Sequence, residues 1–193
     1  MQGLHQEKIW DPVTRLWHWV LVLSVGLTWA FGEFMTFDTV QWHFYIGYLI
    51  LGLMAFRIVY GFAGPAPIRF KNFLPTPAGI VGYLKTIASR EPSGTPGHNP
   101  LGGLSVVALV LAITAEGITG LFIEVDDFFE AGPLNRYVTE ATANKLNAWH
   151  DIVGDAILIL VALHVAAILF YLVWKRENLI KPMITGLKWV RRK

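Results

Sequence analysis

Four histidines of this 193-residue chain stand in or beside apolar segments, where their side chains could ligate a metal. His150 and His164 are fourteen residues apart, almost four turns of α-helix, so they share one helix face roughly 21 Å apart along the axis. His18 and His43 lie near the starts of two other apolar segments. Because imidazoles from two facing helices can hold one haem iron, the spacing predicts two stacked haem sites.

The composition predicts a membrane protein. Hydrophobic residues make up 54% of the chain and charged residues only 16%, whereas soluble domains carry about 25% charged residues. The apolar residues form four blocks that approach or exceed the ~20 residues needed to cross a bilayer. We therefore predict an all-α integral membrane four-helix bundle, a single transmembrane domain over 1–193. The predicted spans are 16–34, 43–62, 101–123 and 149–174.

The distribution of lysine and arginine predicts the orientation of the spans. Nearly all of these residues lie before the first span, in the loop between the second and third spans, or after the fourth. By the positive-inside rule, both termini then face the cytoplasm and the acidic loop around Asp126 and Glu130 faces outward. Because the basic residues are spread along membrane flanks, we expect no nucleic-acid partner.

Topology pairs the four histidines by depth. His18 falls at the depth of His164 and His43 at the depth of His150, and inverting the whole protein preserves this pairing. Bis-histidine ligation leaves no open iron position and suits electron transfer. The chain has no cysteine, which excludes thiolate-ligated haem, cysteine-bound iron–sulfur clusters and covalent attachment through a C-x-x-C-H motif.

Two arginines are candidates for binding haem propionates, which guanidinium groups can pair bidentately. Arg57 is fourteen residues after His43 and falls at the depth of the inner site, and Arg15 lies one turn before His18. We expect both side chains to contact the inner haem.

Three further residues are candidates for proton transfer or quinone binding. Glu116 and Asp155 fall inside predicted spans, where carboxylates tend to face the bundle or a water-filled cavity. His98 lies among Gly, Asn and Pro in the inner loop. The alternatives are structural: His98 as a loop residue, Glu116 as a partner of a neighbouring helix, and Asp155 as a group that orients a ligand.

Local signals predict the elements between the spans. Segment 77–89 has the pattern of a short amphipathic helix at the membrane surface. Asn99-Pro100 is a helix-start pair for the third span. Segment 135–146 is predicted to form a short surface helix.

The chain resembles the bacterial dihaem cytochrome b family, which includes bacterial cytochrome b561 and the b-type subunits of nickel–iron hydrogenases. The matching stretches are DPVTRLWHW at 11–19, Trp42-His43, GHNPLG at 97–102, and the pair His150 and His164. The resemblance implies two haems b, a multi-pass location in the bacterial inner membrane, and electron exchange between quinone and a redox partner. That partner is usually periplasmic, such as a c-type cytochrome, a dehydrogenase or a hydrogenase.

Two alternatives to a partner-dependent electron carrier remain open. One is a stand-alone oxidoreductase that passes electrons from superoxide or another small reductant to quinone. The other is a non-redox transporter or assembly subunit whose histidines bind a transition metal, although inverted repeats and broken spans are not visible. Whether the protein acts as an electron-carrier subunit of a larger quinone-linked oxidoreductase, or as a homo-oligomer, is also left open.

Overall fold

The computed structural model describes residues 4–191, and most of them form helices. The helices in chain order are α1 (Pro12–Glu33), α2 (Val40–Ala63), α3 (Phe70–Phe73), α4 (Pro77–Leu84), α5 (Pro100–Gly120), α6 (Glu140–Val173) and α7 (Ile180–Thr185). Single 3₁₀ turns at Ala66–Ile68, Asp126–Phe128 and Asn135–Tyr137 stand between them. The predicted helical architecture is confirmed for these residues.

Within the described residues, three helices, α2, α5 and α6, are long and apolar enough to cross a membrane. In the most apolar stretch of each helix, only 11–22% of the residues are buried inside the chain. Most of these apolar side chains therefore require lipid or another apolar neighbour. Helix α1 is also 22 residues long, but Arg15, His18, Glu33 and several tryptophans make it less apolar. A fourth span through α1 stays a prediction.

The helix that carries His150 and His164 begins earlier than predicted. Helix α6 runs for 34 residues from Glu140, nine residues before the expected start at Trp149. The surface helix predicted at 135–146 is wrong as a separate element, because Asn135–Tyr137 is a 3₁₀ turn and the rest belongs largely to α6. The 34 residues of α6 thus hold the fourteen-residue histidine spacing on one continuous helix.

Two other local predictions are confirmed. Helix α4 lies within the predicted segment 77–89, and the Thr76 hydroxyl accepts a hydrogen bond from the Gly79 amide at 3.1 Å. Helix α5 begins at Pro100, and the Asn99 side-chain oxygen accepts from the Gly102 amide at 2.8 Å. Both caps satisfy amides that have no partner inside the first turn of a helix.

Two short antiparallel strand pairs depart from the all-α prediction. Strand β1 (Leu4–Lys8) pairs with β4 (Leu187–Arg191) at the two ends of the described chain. Strands β2 (Glu124–Val125) and β3 (Glu130–Ala131) form a minimal hairpin between α5 and α6. The first pairing joins opposite ends of the described sequence, which no local pattern reveals.

The chain divides into two compact units. We call described residues 4–17, 58–108 and 160–191 the terminal unit, and residues 18–57 and 109–159 the hairpin unit. Helices α1, α2, α5 and α6 each contribute residues to both. The prediction of a single domain over 1–193 stays a prediction.

The terminal unit has a small apolar core and a buried polar network. Ile9, Trp10, Ile68 and Val190 form the core. The Lys188 ammonium lies 3.3 Å from a Glu177 carboxylate oxygen and donates to the Gly97 carbonyl at 3.1 Å. Burial lowers the pKa of Lys188, and the nearby Glu177 charge opposes that shift. Both side chains of this ion pair are less than one-tenth exposed.

The same network fixes the loop that precedes α5. Glu177 accepts hydrogen bonds from the Ser93 amide at 2.7 Å and the Ser93 hydroxyl at 3.0 Å. The buried Lys175 ammonium donates to the Ser89 carbonyl at 3.0 Å and the Thr86 carbonyl at 3.3 Å. Charged side chains that follow α6 therefore hold backbone that precedes α5.

Candidate functional site

Two histidines face each other inside the hairpin unit. His43 is on the first turn of α2 and His150 is in α6, and their ring centroids are 6.3 Å apart with the ring planes inclined at 71°. Metal–imidazole bonds are about 2 Å long, so two such bonds and two half-ring widths fill this separation. The predicted pairing of His43 with His150 is thus matched by side-chain proximity.

A backbone hydrogen bond orients the His43 ring. Its Nδ1 lies 2.8 Å from the Thr28 carbonyl oxygen on α1, so Nδ1–H donates and the lone pair is on Nε2. The Thr28 hydroxyl in turn donates to the His43 carbonyl at 3.3 Å. Metal-binding histidines commonly donate their second N–H in this way, which fixes the ring and raises its basicity as a ligand.

The His150 ring, on α6, is oriented in the same way by residues of α5. Its Nδ1 lies 3.1 Å from the Glu116 carbonyl oxygen and 3.0 Å from the Thr119 hydroxyl. Its Nε2 lies 3.2 Å from a carboxylate oxygen of Glu116. Nε2 is the nitrogen that would bind iron, so the Glu116 carboxylate would give way to a haem at that atom while the backbone bond to Nδ1 persists.

Two glycines give these imidazoles their space. A Cβ on Gly32 would lie 3.0 Å from His43 Cε1, and a Cβ on Gly120 would lie 3.2 Å from His150 Cε1. Gly32 lies four residues beyond Thr28, and Gly120 directly follows Thr119, so each glycine shares a helix with a residue that bonds the ring. Each Nδ1 is bonded to a carbonyl, which leaves Nε2 as the nitrogen that would bind iron once the Glu116 carboxylate moves away from His150, so the residues present fit a bis-histidine haem.

The second predicted pair is divided between the two units. His18 is on α1 in the hairpin unit, half-buried beside the Trp19 ring at 5.2 Å between centroids. His164 is on α6 in the terminal unit and is also half-buried. Their pairing stays a prediction that rests on the helix spacing.

The two arginines have different surroundings. Arg57 on α2 is 5% exposed, an unusual degree of burial for a cation in an apolar helix. The Arg15 guanidinium donates to the Ile184 carbonyl, which belongs to α7. Contact of either side chain with a propionate stays a prediction.

The three candidate proton or quinone residues also differ. Glu116 is half-buried against His150, as described above. The His98 ring packs between Trp10 and Phe73, with both centroid distances at 4.9 Å. Asp155 is exposed on α6 in the hairpin unit, so our expectation that it is buried is wrong. Five residues of helix turn Asp155 roughly 140° from His150, which takes it off the histidine face.

Sequence reasoning missed the residues that orient the ligands. Thr28 and Thr119 bond to the two imidazoles, and Gly32 leaves room for one of them. The signal that could have found Thr28 and Gly32 is their spacing, since residues four apart share a helix face. Which face of α1 meets α2 is a tertiary property that one helix does not encode.

The apolar helices are those of a helical membrane protein, and the opposed imidazoles of His43 and His150 are a candidate site for a metal cofactor. The family model of prokaryotic cytochrome b561 matches residues 9–186, and the chain belongs to this family. The family binds b-type haem and transfers electrons across membranes. No curated protein and no solved structure matches the chain.

Proposed function

We propose that this protein is a multi-pass electron carrier of the bacterial inner membrane that holds two b haems in series. His43 and His150 ligate one haem, and His18 and His164 ligate the other. Electrons pass between quinone and a redox partner, such as a periplasmic c-type cytochrome or dehydrogenase. The observation that carries the proposal is the pair of facing imidazoles in the hairpin unit, each bonded through Nδ1 to a backbone carbonyl.

The geometry of His43 and His150 supports electron transfer over small-molecule binding. His43 and His150 would together leave no open position on a haem iron, and the haem would supply reversible one-electron chemistry. The Thr28 and Glu116 carbonyls keep each ring in one tautomer. Fixed ligands need little reorganisation when the charge on the iron changes, which favours transfer in both directions.

The spacing on α6 supports the second haem. Fourteen residues of the continuous helix separate the two α6 histidines by roughly 21 Å, enough for one haem towards each side of a bilayer. This arrangement requires α1 as a fourth span, which brings His18 to the depth of His164. The lysine and arginine distribution supports a bundle with both termini in the cytoplasm.

Arg57 supports a propionate contact at the second haem. Arg57 is fourteen residues after His43 on α2, which puts it at the depth of the second haem, and a guanidinium can pair bidentately with a propionate. Arg15 lies one turn before His18 and completes the proposed cationic surroundings. Glu116 and His98 remain the proposed proton-transfer or quinone-contacting groups, and Asp155 is left out because it is exposed and off the histidine face.

The test is haem quantitation in purified, detergent-solubilised protein by pyridine haemochrome and by reduced-minus-oxidised spectra. We expect about two haems b per wild-type chain and about one in His43→Ala, His150→Ala, His18→Ala and His164→Ala, because each variant removes one axial ligand. His5→Ala is the matched control, since His5 is in β1 outside both sites. Wild-type protein without haem, or full haem content in all four variants, would overturn the proposal.

A further inference from the structure

The last described residues of the terminal unit contact the beginning of α1. Gly186 directly follows α7, and its carbonyl accepts hydrogen bonds from the Ile9 amide at 2.9 Å and the Trp10 amide at 3.2 Å. The Arg15 guanidinium, on the first turn of α1, donates to the Ile184 carbonyl. Two main-chain oxygens at the end of α7 therefore bind the start of α1, one through its backbone and one through a cationic side chain.

We propose that residues 184–191, here called the C-terminal strap, position the Arg15 guanidinium for a propionate of the His18–His164 haem. Gly186 acts through Arg15 and is a positioning residue. The inference rests on the proposed function, and it adds that the electrostatics of the second haem depend on residues that follow the last membrane span.

The first argument is a donor that Arg15 leaves unused. Its Nε is buried, yet among residues 4–191 no acceptor lies within hydrogen-bond distance of that atom. No carboxylate of these residues forms an ion pair with Arg15 either. Because a buried charged donor without an acceptor costs free energy, we expect a further acceptor at this position. A propionate is suitable, since a carboxylate can accept two parallel N–H bonds from one guanidinium.

The second argument is the space that Gly186 leaves for this side chain. The φ of Gly186 is +83°, in the left-handed region that favours glycine. A Cβ at this position would lie 2.6 Å from the Trp10 carbonyl oxygen and 3.6 Å from Arg15 Nε. The guanidinium thus lies beside the bare main chain of Gly186, and any side chain there has to displace the backbone that leads into α1.

The third argument is that the strap is itself held in place. Strand β4 pairs with β1 over five residues, and Val190 is only 1% exposed. The buried Lys188 ammonium bonds to Glu177 and to the Gly97 carbonyl. Chain ends are usually poorly ordered unless such contacts fix them. The acceptor for Arg15 therefore belongs to a fixed segment, which is what a group that orients another must have.

The experiment is a redox titration of the haem-loaded full chain in detergent. The component that persists in His43→Ala identifies the His18–His164 haem. Arg15→Gln removes a positive charge, which opposes oxidation of a nearby haem, so we expect the reduction equilibrium constant of that haem to fall about three- to tenfold. Gly186→Ala displaces the Trp10 carbonyl and moves the guanidinium, so it should produce a fall of similar size.

A double-mutant cycle distinguishes positioning from a general loss of structure. If Gly186 acts through Arg15, the variant that combines Arg15→Gln with Gly186→Ala has the same equilibrium constant as Arg15→Gln alone. A further fall in the combined variant, or no fall in Gly186→Ala, overturns the inference. Gly82→Ala is the matched control, because Gly82 is on α4 of the same unit and a Cβ there would have nothing within 4 Å.

Thr185→Val is a milder second variant, which decides the test if Gly186→Ala does not retain haem. The Thr185 hydroxyl accepts a hydrogen bond from the Leu187 amide at 3.2 Å and donates to the Lys181 carbonyl at 3.0 Å. Its removal loosens the turn that carries both acceptors. We expect the equilibrium constant to fall about two- to threefold, and to show no such fall when Arg15 is already Gln.

The outcomes also separate this inference from the proposed function. If the wild type binds two haems and Arg15→Gln changes neither equilibrium constant, the propionate contact of Arg15 and the role of the strap are both wrong, while a dihaem carrier stays intact. A wild-type chain that binds fewer than two haems overturns the proposed function and this inference together.

Discussion

In the hairpin unit the imidazoles of His43 and His150 bond to backbone carbonyls of neighbouring helices, whereas in the terminal unit the imidazole of His98 packs between two aromatic rings. The buried charges differ in the same way. The terminal unit pairs Lys188 with Glu177 and turns both towards loop backbone. The hairpin unit sets the Glu116 carboxylate against a ring nitrogen that can bind iron. Lys188 and Glu177 in the terminal unit thus hold structure, whereas Glu116 in the hairpin unit lies against a proposed haem ligand.

The largest expected effect comes from disturbing the orientation of His43 in the hairpin unit. Gly32→Val places side-chain atoms against His43, where a Cβ alone would already lie 3.0 Å from the ring. The imidazole must move and loses its bond to Thr28, so we expect about half of the total haem to be lost because one of two sites is affected. Haemochrome quantitation checks this result.

Gly26→Val is the control for that variant. Gly26 is on the same helix, and a Cβ at this position would have nothing within 4 Å. The variant should keep its full haem content. Equal loss of haem in both variants would mean that valine in α1, and not contact with His43, is responsible.

The next largest effect comes from removing the buried ion pair of the terminal unit. Lys188→Met leaves the Glu177 carboxylate buried without its cation, which costs about 3–5 kcal/mol of unfolding free energy. We expect a lower midpoint in thermal unfolding followed by circular dichroism, with the spectrum of the His43–His150 haem unchanged at low temperature. Lys181→Met, on the exposed surface of α7, should unfold like the wild type.

A double variant sharpens the interpretation. Lys188→Met combined with Glu177→Gln removes the unpaired charge and should recover part of the lost stability. If the double variant is no more stable than Lys188→Met alone, lost packing and not the buried charge explains the destabilisation.

The smallest expected effect concerns tuning of the ligand. The Thr119 hydroxyl donates to the Ala115 and Glu116 carbonyls, so towards His150 Nδ1 it acts as an acceptor. Thr119→Val removes that acceptor but keeps the backbone one, which makes the imidazole a slightly weaker electron donor. The haem potential should rise by roughly 20–40 mV in a redox titration. Thr114→Val, on the same helix and bonded to Val110, should leave the potential unchanged.

The apolar segments and the spacing of the histidines account for the part of the fold and site that the sequence could predict. The apolar blocks located α2, α5 and α6, and matched depth paired His43 with His150. Strands β1 and β4 could not be found this way, because their polar segments become strands only by pairing with each other across the chain. The roles of Thr28 and Gly32 could not be predicted for a related reason, because they depend on how α1 is rotated against α2. The exposure of Asp155 was within reach, since roughly 100° per residue fixes its face once His150 is placed.

The acceptors for His43 Nδ1 and His150 Nδ1 are main-chain atoms, so no side-chain substitution deletes them. Natural variation can therefore replace Thr28 or Glu116 without removing either carbonyl. An insertion or deletion within α1 or α5 is different, because each added residue turns the helix by roughly 100° and carries the carbonyl away from the ring. We therefore expect the orientation of the two rings to depend on the number of residues between each acceptor and the end of its helix more than on the side chains at positions 28 and 116.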